Sequence, residues 1–517
     1  MTPPFGRHGT RSWVLIALIA TLAIVAGTGA DAASANVPPG MSMLFFSPSS
    51  SGGCGDGVIS GIEEGASEPN VASPANSPFL QPPSGHYTAS GLYANGMAST
   101  PYAPGFGGIQ SGEWSTQTYF TNECGGASQQ VLVGCYALFG DGPNICSQPG
   151  GGSGLSEPVW IAWESPSGQT VGSGIAYDAV NNVVYLTTYA NCTNDVCQVT
   201  IWSAGAIWQY GASLGPTQIA TLSNVARPDY LAVDPITNRL FLMGANFNQV
   251  ISVSATNGGN QTVVLPSGPL ISGNVTGIGV DPTTAMVYVL SAAMGDEPNQ
   301  IAQVPESGAA PSSLFSGSSV GNDSLSTALA IDPANGILLW ANSPLGSKES
   351  GTANSVSWGP LDGTNATTYG WFGAPTASYA AYVQALSIST YLTSTTVAAT
   401  GTTANASASG MLSVPLSTYT PTAAARRGGA RTVKARKVTG SIVVTMRDRR
   451  ARRHTFGTTR TRFSLTANRH GLRRLQLSAE AQAALRHGRL EIVVQTRADG
   501  ARQPARTRVL RVVRSST

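Results

Sequence analysis

Four aspartates stand at near-regular intervals through the middle of the chain: Asp178, Asp234, Asp281 and Asp332, separated by 56, 47 and 51 residues. A carboxylate can ligate a metal, take up a proton as a general base, or accept hydrogen bonds from backbone amides. Each of the four follows an apolar–small–apolar triplet: Ile175-Ala176-Tyr177, Leu231-Ala232-Val233, Ile278-Gly279-Val280 and Leu329-Ala330-Ile331. Three are followed by proline, and seven positions on stands Tyr185, Phe241, Tyr288 or Leu339. Asp-Pro opens a tight turn, because proline presets the backbone angle and the carboxylate accepts turn amides. A single active site has no use for four equivalent acids. The sequence therefore assigns Asp178, Asp234, Asp281 and Asp332 to structural turns.

Other residue types with chemical potential are few. Gly317-Ser318-Ser319-Val320-Gly321 matches the string of a nucleophile elbow, but it falls where a loop between strands is expected. In the mature propeller region only His86 could serve as its base, and nothing ties it to Ser319. Asp296 and Glu297 read as a solvated acidic loop, and no Walker string is present. No catalytic residue, cofactor site or metal ligand is assigned. Calcium is left open at Asp56, Glu63 and Glu64. Tryptophan is the better pointer to binding. Trp160, Trp163, Trp202, Trp340 and Trp358 read as packing between strands, and Trp114, Trp208 and Trp371 as aromatics able to stack on a sugar ring or anchor a protein partner.

The elements that position these residues are strands. A period near fifty residues, built of strands and turns, marks an architecture in which no unit buries its own core. Each cycle has an inner strand ending in the aspartate and a second strand (Val183 to Thr188, Leu240 to Met243, Val287 to Leu290, Ile337 to Trp340). A third follows (Val199 to Trp202, Val250 to Val253, Ile301 to Val304, Val356 to Trp358), then a more degenerate fourth. Four antiparallel strands per unit is the make-up of a propeller blade.

The run Ile331-Asp332-Pro333-Ala334-Asn335-Gly336-Ile337-Leu338-Leu339-Trp340-Ala341-Asn342, continuing to Leu361-Asp362-Gly363-Thr364-Asn365, resembles one repeat of the YWTD (low-density lipoprotein receptor type) six-bladed β-propellers. The other cycles share the Asp turn but depart from the Tyr-Trp-Thr-Asp core, as in Tyr185-Leu186-Thr187-Thr188, which leaves NHL and lactonase-type propellers as open relatives. Two eroded cycles bring the expected count to six four-stranded blades. One comprises Thr118 to Asn122, Gln130 to Leu138 and Val159 to Trp163. The other comprises Ala385 to Leu392 and Gly410 to Val414.

Charge divides the chain. Of 29 Lys and Arg, 24 lie from Arg426 onward, with only four of the 26 acidic residues, so the tail carries +20 and the remainder −17. The tail reads as a small β module, with Ser478 capping a short helix through Leu485 and Gly488 closing it. It resembles the Arg-rich β-sandwich modules that end many secreted actinobacterial proteins. At the other end, Arg7 and Arg11 precede an apolar run from Trp13 to Gly27 and small-residue cleavage sites near Ala32 and Ala35, the layout of a signal peptide. The run is shorter than the roughly 20 residues that span a bilayer.

The six cysteines, Cys54, Cys124, Cys135, Cys146, Cys192 and Cys197, suit disulfides in an exported chain. Cys192–Cys197 across a hairpin mouth is the leading pair; Cys124–Cys135 follows by the same logic, which would leave Cys54 for Cys146, and a zinc site is the competitor, weakened by the absence of any CxxC pair. The expected organisation is all-β: signal peptide 1–35, Gly/Ser/Pro-rich lead-in 36–112, β-propeller 113–419, basic linker 420–437 and a C-terminal β-sandwich-like module 438–517. The expected function is a secreted or cell-surface binding or scaffolding protein. It takes a protein or glycan ligand at a propeller mouth, and its basic module holds an anionic cell-envelope polymer. No specific nucleic acid is expected, and no transmembrane segment after signal cleavage. The alternative is a metal-dependent hydrolase or lactonase on the same scaffold.

Overall fold

The computed structural model describes residues 41–47, 58–62, 94–100, 103–104, 114–122, 130–139, 142–145, 159–207, 212–268, 273–292, 299–316, 320, 324–333, 336–344, 355–363, 367–370, 385–390, 395–420, 437–500 and 505–515. Five of the sheets are blades of a β-propeller, each antiparallel and in chain order from its innermost strand outward. Blade I contains Ala94–Ser99, Trp114–Asn122, Gln130–Phe139 and Val159–Glu164, with short additions at Ala103–Pro104 and Gly142–Ile145. Blade II is Thr170–Asp178, Val183–Thr193, Val196–Gly205 and Thr217–Ala226. Blade III is Leu231–Asp234, Arg239–Met243, Val250–Ser254 and Thr262–Leu265. Blade IV is Asn274–Asp281, Met286–Ala292, Gln300–Pro305 and Ser312–Ser316, and blade V is Ser324–Asp332, Ile337–Pro344, Ser355–Pro360 and Thr367–Gly370.

The blade count is five, where six were expected. In the sixth place stands a three-stranded sheet in the order Val58–Ile62, Met41–Ser47, Ala385–Thr390. Its strand Ala385–Thr390 lies beside the innermost strands of blades V and I. The apolar run Met41 to Phe46, read as lead-in, pairs with residues more than 330 positions away: Met41 opposes Thr390 and Phe46 opposes Ala385. The segment expected to continue this blade goes elsewhere. Met411–Tyr419 pairs with His470–Gln476, Thr396–Ala399 and Thr403–Ala406, all within the C-terminal sheet. The physical reason is alternation: Leu412, Val414 and Leu416 place one buried face on the core of that sheet.

Blades pack closest near the propeller axis, and the small residues of the inner strands permit this. A Cβ on Gly96 would stand 1.9 Å from the Ser173 carbonyl of blade II. One on Gly277 would stand 2.5 Å from Leu329 Cβ of blade V. Further out the interblade space fills with large side chains, among them the fully buried Tyr119, Phe241, Tyr288 and Trp340. One such layer holds Phe241, Val250, Val287 and Val304 between blades III and IV.

The C-terminal sheet has eight strands and folds over one core. Thr396–Ala399, Thr403–Ala406 and Met411–Tyr419 join it from the N-terminal side of the basic stretch, and Lys437–Asp448, Thr455–Thr466, His470–Gln476, Leu490–Ala498 and Arg506–Arg514 from the other. Along Lys437–Asp448 every second residue from Val438 to Asp448 is buried, the pattern of a strand with one face on a core and one in solvent. The expected helix is present at Ala479–Arg486: Ser478 Oγ accepts from Ala481 N at 3.2 Å, and Gly488 follows with φ +63°.

Candidate functional site: the aspartate mouth

In an antiparallel blade the first-to-second and third-to-fourth connections fall at one end, and the remaining connections at the other. The four aspartates lie at the first end. Each is fully buried. Asp178 Oδ1 accepts from Val180 N and Asn181 N, both at 2.8 Å, and its Oδ2 accepts from Asn181 Nδ2 at 2.7 Å. Asp234 Oδ1 accepts from Ile236 N at 2.6 Å and Thr237 N at 3.2 Å. Asp281 accepts from Thr283 N at 2.9 Å, from Thr284 Oγ1 at 2.8 Å and from the Thr283 hydroxyl. Burial raises the Asp178 pKa, with the hydrogen bonds from Asn181 and Val180 opposing the rise without cancelling it.

A second regularity, absent from the sequence reading, accompanies the first. The residue four places after each aspartate is left-handed: Asn182 (φ +59°), Asn238 (+57°), Ala285 (+54°) and Gly336 (+71°). Its carbonyl then accepts from the residue that follows the third strand: Ala206 N at 3.0 Å, Ala255 N at 2.9 Å, Glu306 N at 3.1 Å and Leu361 N at 2.8 Å. All four turns thus tie the inner hairpin of the blade to the outer one, and in three of them the carboxylate of Asp178, Asp234 or Asp281 holds the turn. Asn and Gly tolerate this backbone region; alanine does not favour it.

The aspartates of four blades act electrostatically on one side chain. Tyr419, at the end of Met411–Tyr419, is nearly buried and lies in the field of Asp178, Asp332, Asp234 and Asp281 together. Burial first, and then those four carboxylates, push its phenol far above the ordinary tyrosine range. The rest of the C-terminal sheet seats on the same mouth. Ser417 Oγ donates to Pro282 O at 3.5 Å and Gly401 N to Thr284 O at 3.0 Å. Arg508 Nε donates to Gly401 O at 3.0 Å. Arg506 Nη2 reaches Asp281 Oδ2 at 3.1 Å, packed so closely on Gly336 that a Cβ there would collide with its guanidinium. Burial pushes the Tyr288 phenol up to about 12, although Arg508 beside it acts to lower it.

One carboxyl pair has a different character. Glu306, just past the third strand of blade IV, approaches Asp234 of blade III. Its Oε2 accepts from Thr237 Oγ1 at 3.0 Å, while Glu306 Oε1 and Asp234 Oδ2 are buried with no hydrogen-bond donor. Burial, and then the Asp234 charge, raise Glu306 well above the usual carboxylate range. Two acceptors facing each other require a shared proton or a cation. Sequence reading passed over Glu306, since nothing local distinguishes it from a solvated turn acid. Among the described residues, no group of three or more His, Cys, Asp or Glu is placed to hold a metal ion.

At the opposite mouth the hairpin Val183–Thr193/Val196–Gly205 projects its tip, and Cys192 and Cys197 are disulfide-bonded across it as expected. Residues 191–195 are exposed. The Asp195 carbonyl accepts from Arg227 N at 2.8 Å, the Arg227 guanidinium lies 5.9 Å from the Tyr189 ring centre, and its Nε lies 3.0 Å from Asp229 Oδ1. This group was also missed, because its members come from two blade connections 38 residues apart at Tyr189 and Arg227. Of the aromatics singled out for binding, Trp114 begins a strand of blade I opposite Leu138, and Trp208 and Trp371 lie outside the described residues. Trp163 and Trp202 pack with ring centres 5.5 Å apart, and Trp340 is buried against Phe315. Cys135 lies in Gln130–Phe139; Cys54, Cys124 and Cys146, Asp56, Glu63 and Glu64, Asp296 and Glu297, and Ser318 and Ser319 fall outside the described residues.

No family model matches the chain, and no curated protein matches it. Solved structures resemble it in part, at low identity. A chain of the nidogen/laminin complex is 16% identical, with TM-score 0.32, covering 51% of this chain and 97% of its own. A 6-phosphogluconolactonase-like protein of Bacteroides fragilis is 10% identical (TM-score 0.35), covering 67% and 97%. An exo-β-1,3-galactanase of Phanerochaete chrysosporium is 11% identical (TM-score 0.31), covering 80% and 98%.

Proposed function

We propose that the chain is an exported binding or scaffolding propeller that takes a protein or glycan ligand on the mouth bearing the Cys192–Cys197 hairpin. The observation that carries this reading is the state of the other mouth. Its carboxylates accept their own turn amides, and Tyr419 and Arg506 of the chain's own sandwich stand over them. A carboxylate so engaged is a poor metal ligand and a poor base. The hairpin tip, by contrast, offers exposed amide and hydroxyl groups beside an arginine–tyrosine pair, a combination suited to sugars and to protein partners. A pull-down against glycan and protein libraries, run with the native chain and with Arg227→Ala, tests it. The native chain should retain a ligand that the variant loses; retention unchanged by the variant would move the ligand off this mouth.

The second reading is a metal-dependent hydrolase or lactonase, favoured by the donor-free oxygens of Asp234 and Glu306. Bound metal together with lactone or ester turnover, lost in Glu306→Gln, would establish it in place of the binding role.

A further inference from the structure

The tail's surplus of positive charge is not spread evenly over the sandwich. Its four acids are accounted for. Glu491 pairs with Arg447 at 2.6 Å, Asp499 pairs with Arg462, Glu480 sits in the first turn of the helix, and Asp448 is fully buried. Asp448 organises the hairpin tip at residues 448–454 by the same chemistry as the propeller aspartates. Its Oδ1 accepts from Arg450 N at 2.8 Å and Ala451 N at 3.4 Å, and its Oδ2 pairs with Arg489. The Arg489 guanidinium holds the Asp448 carboxyl down at about 2. The tip closes through Asp448 N to His454 O at 3.0 Å and docks on the helix C-terminus through Arg449 N to Arg489 O at 2.7 Å.

This arrangement gathers Arg449, Arg450, Arg452, Arg453, Arg486 and Arg489 at one end of the sandwich against a single buried acid. All but Arg489 are exposed, and none of those five is in an ion pair among the described residues. The end faces away from the propeller. Arg506 opposes Thr496, and Thr496 opposes Ile442, six residues short of Asp448. At the rise of an extended strand this is about 20 Å.

We propose that this arginine tip binds a linear polymer of polyol or sugar units joined by phosphodiesters. The guanidinium fork matches phosphate oxygens in a bidentate way, and closely spaced arginines suit a repeating charge. Base readout needs stacking platforms. The neighbouring Phe456 is partly buried against the core, its ring 5.0 Å from and edge-on to that of the exposed His454, so the tip presents one imidazole among its arginines and no run of stacking platforms. The proposal is independent of the propeller's ligand.

The test is titration of the full chain with poly(glycerol phosphate) across a salt series. With five or six phosphates neutralised, log K should fall against log salt with a slope of about −4. Arg449→Gln, Arg450→Gln, Arg452→Gln and Arg453→Gln together should weaken binding at least about tenfold and shorten the slope by about 3. An equal charge loss elsewhere on the C-terminal sheet, at the exposed Arg460, Arg469, Arg474 and Arg497, should change affinity less than about threefold. Thermal melts of both variants establish that each is folded. Equal loss in the two variants would mean diffuse charge and overturn the tip. So would an absence of binding by the native chain. Equal or tighter binding of single-stranded DNA would overturn the stated partner.

Discussion

Arg506 Nη2 and Asp281 Oδ2 stand 3.1 Å apart across the seam between sandwich and propeller, the aspartate fully buried and the arginine largely so. The same carboxylate that holds the turn of blade IV is thereby the receptor for the C-terminal module. Removing one partner of a buried pair strands the other charge, at about 3–5 kcal/mol. Arg506→Ala should therefore lower the unfolding free energy by that order. Arg506→Met combined with Asp281→Asn should recover most of it, as read by denaturant unfolding. Equal losses in the single and double variants would show that the ion pair does not couple the two parts.

Ala285 occupies the left-handed position that Asn182, Asn238 and Gly336 fill in the other blades. A non-glycine residue there is strained by about 1 kcal/mol. Ala285→Gly should raise stability by about 0.5–1 kcal/mol despite the added freedom of the unfolded chain. A fall in melting temperature would contradict the assignment of strain.

Glu306 couples stability to pH. Its native pKa lies above the unfolded value, so the unfolded state loses this proton first as pH rises. The contribution of the neutral carboxyl is full below the ordinary glutamate range and is lost as pH climbs toward the native value. Glu306→Gln supplies a permanent donor toward Asp234. It should match the native chain at pH 4 and exceed it in stability at pH 8. Calcium-dependent stabilisation of the native chain at pH 8, absent from the variant, would instead place a cation between the two carboxyls.

The Cys192–Cys197 bridge closes a short loop, for which chain entropy gives about 2 kcal/mol. Cys192→Ser with Cys197→Ser should cost about that much in chemical unfolding and leave the sandwich–propeller seam intact. Loss of the seam, read by hydrogen exchange at Gly401 N, would show that the two mouths are coupled.

Features written in local chemistry were legible in the sequence. The Asp turns, the hairpin bridge and the Ser478 cap each depend on a few adjacent residues, and each was readable as such. The left-handed residue four places after each aspartate was not read from the sequence: Asn182, Asn238 and Gly336 favour that backbone region, but Ala285 does not and hides the pattern. Long-range pairing left no such trace. Ala94–Ser99 is rich in small residues and became an inner strand only through its neighbours. Met411–Tyr419 alternates as well for a blade as for a sandwich, and only its partners decide between them. Tyr419 and Arg506 meet the aspartates from the far end of the chain, and Glu306 meets Asp234 from the next blade. Those three residues make up what is particular about the site.

The central claim is that the sandwich closes the aspartate mouth through Tyr419. Phenol ionisation reports this directly, as the difference in absorbance near 295 nm between the native chain and Tyr419→Phe along an alkaline titration. The account predicts no difference attributable to this residue through pH 11 while the chain remains folded, because burial and four carboxylates oppose the phenolate. A one-residue step near pH 10, the ordinary tyrosine range, would place Tyr419 in solvent and the mouth open.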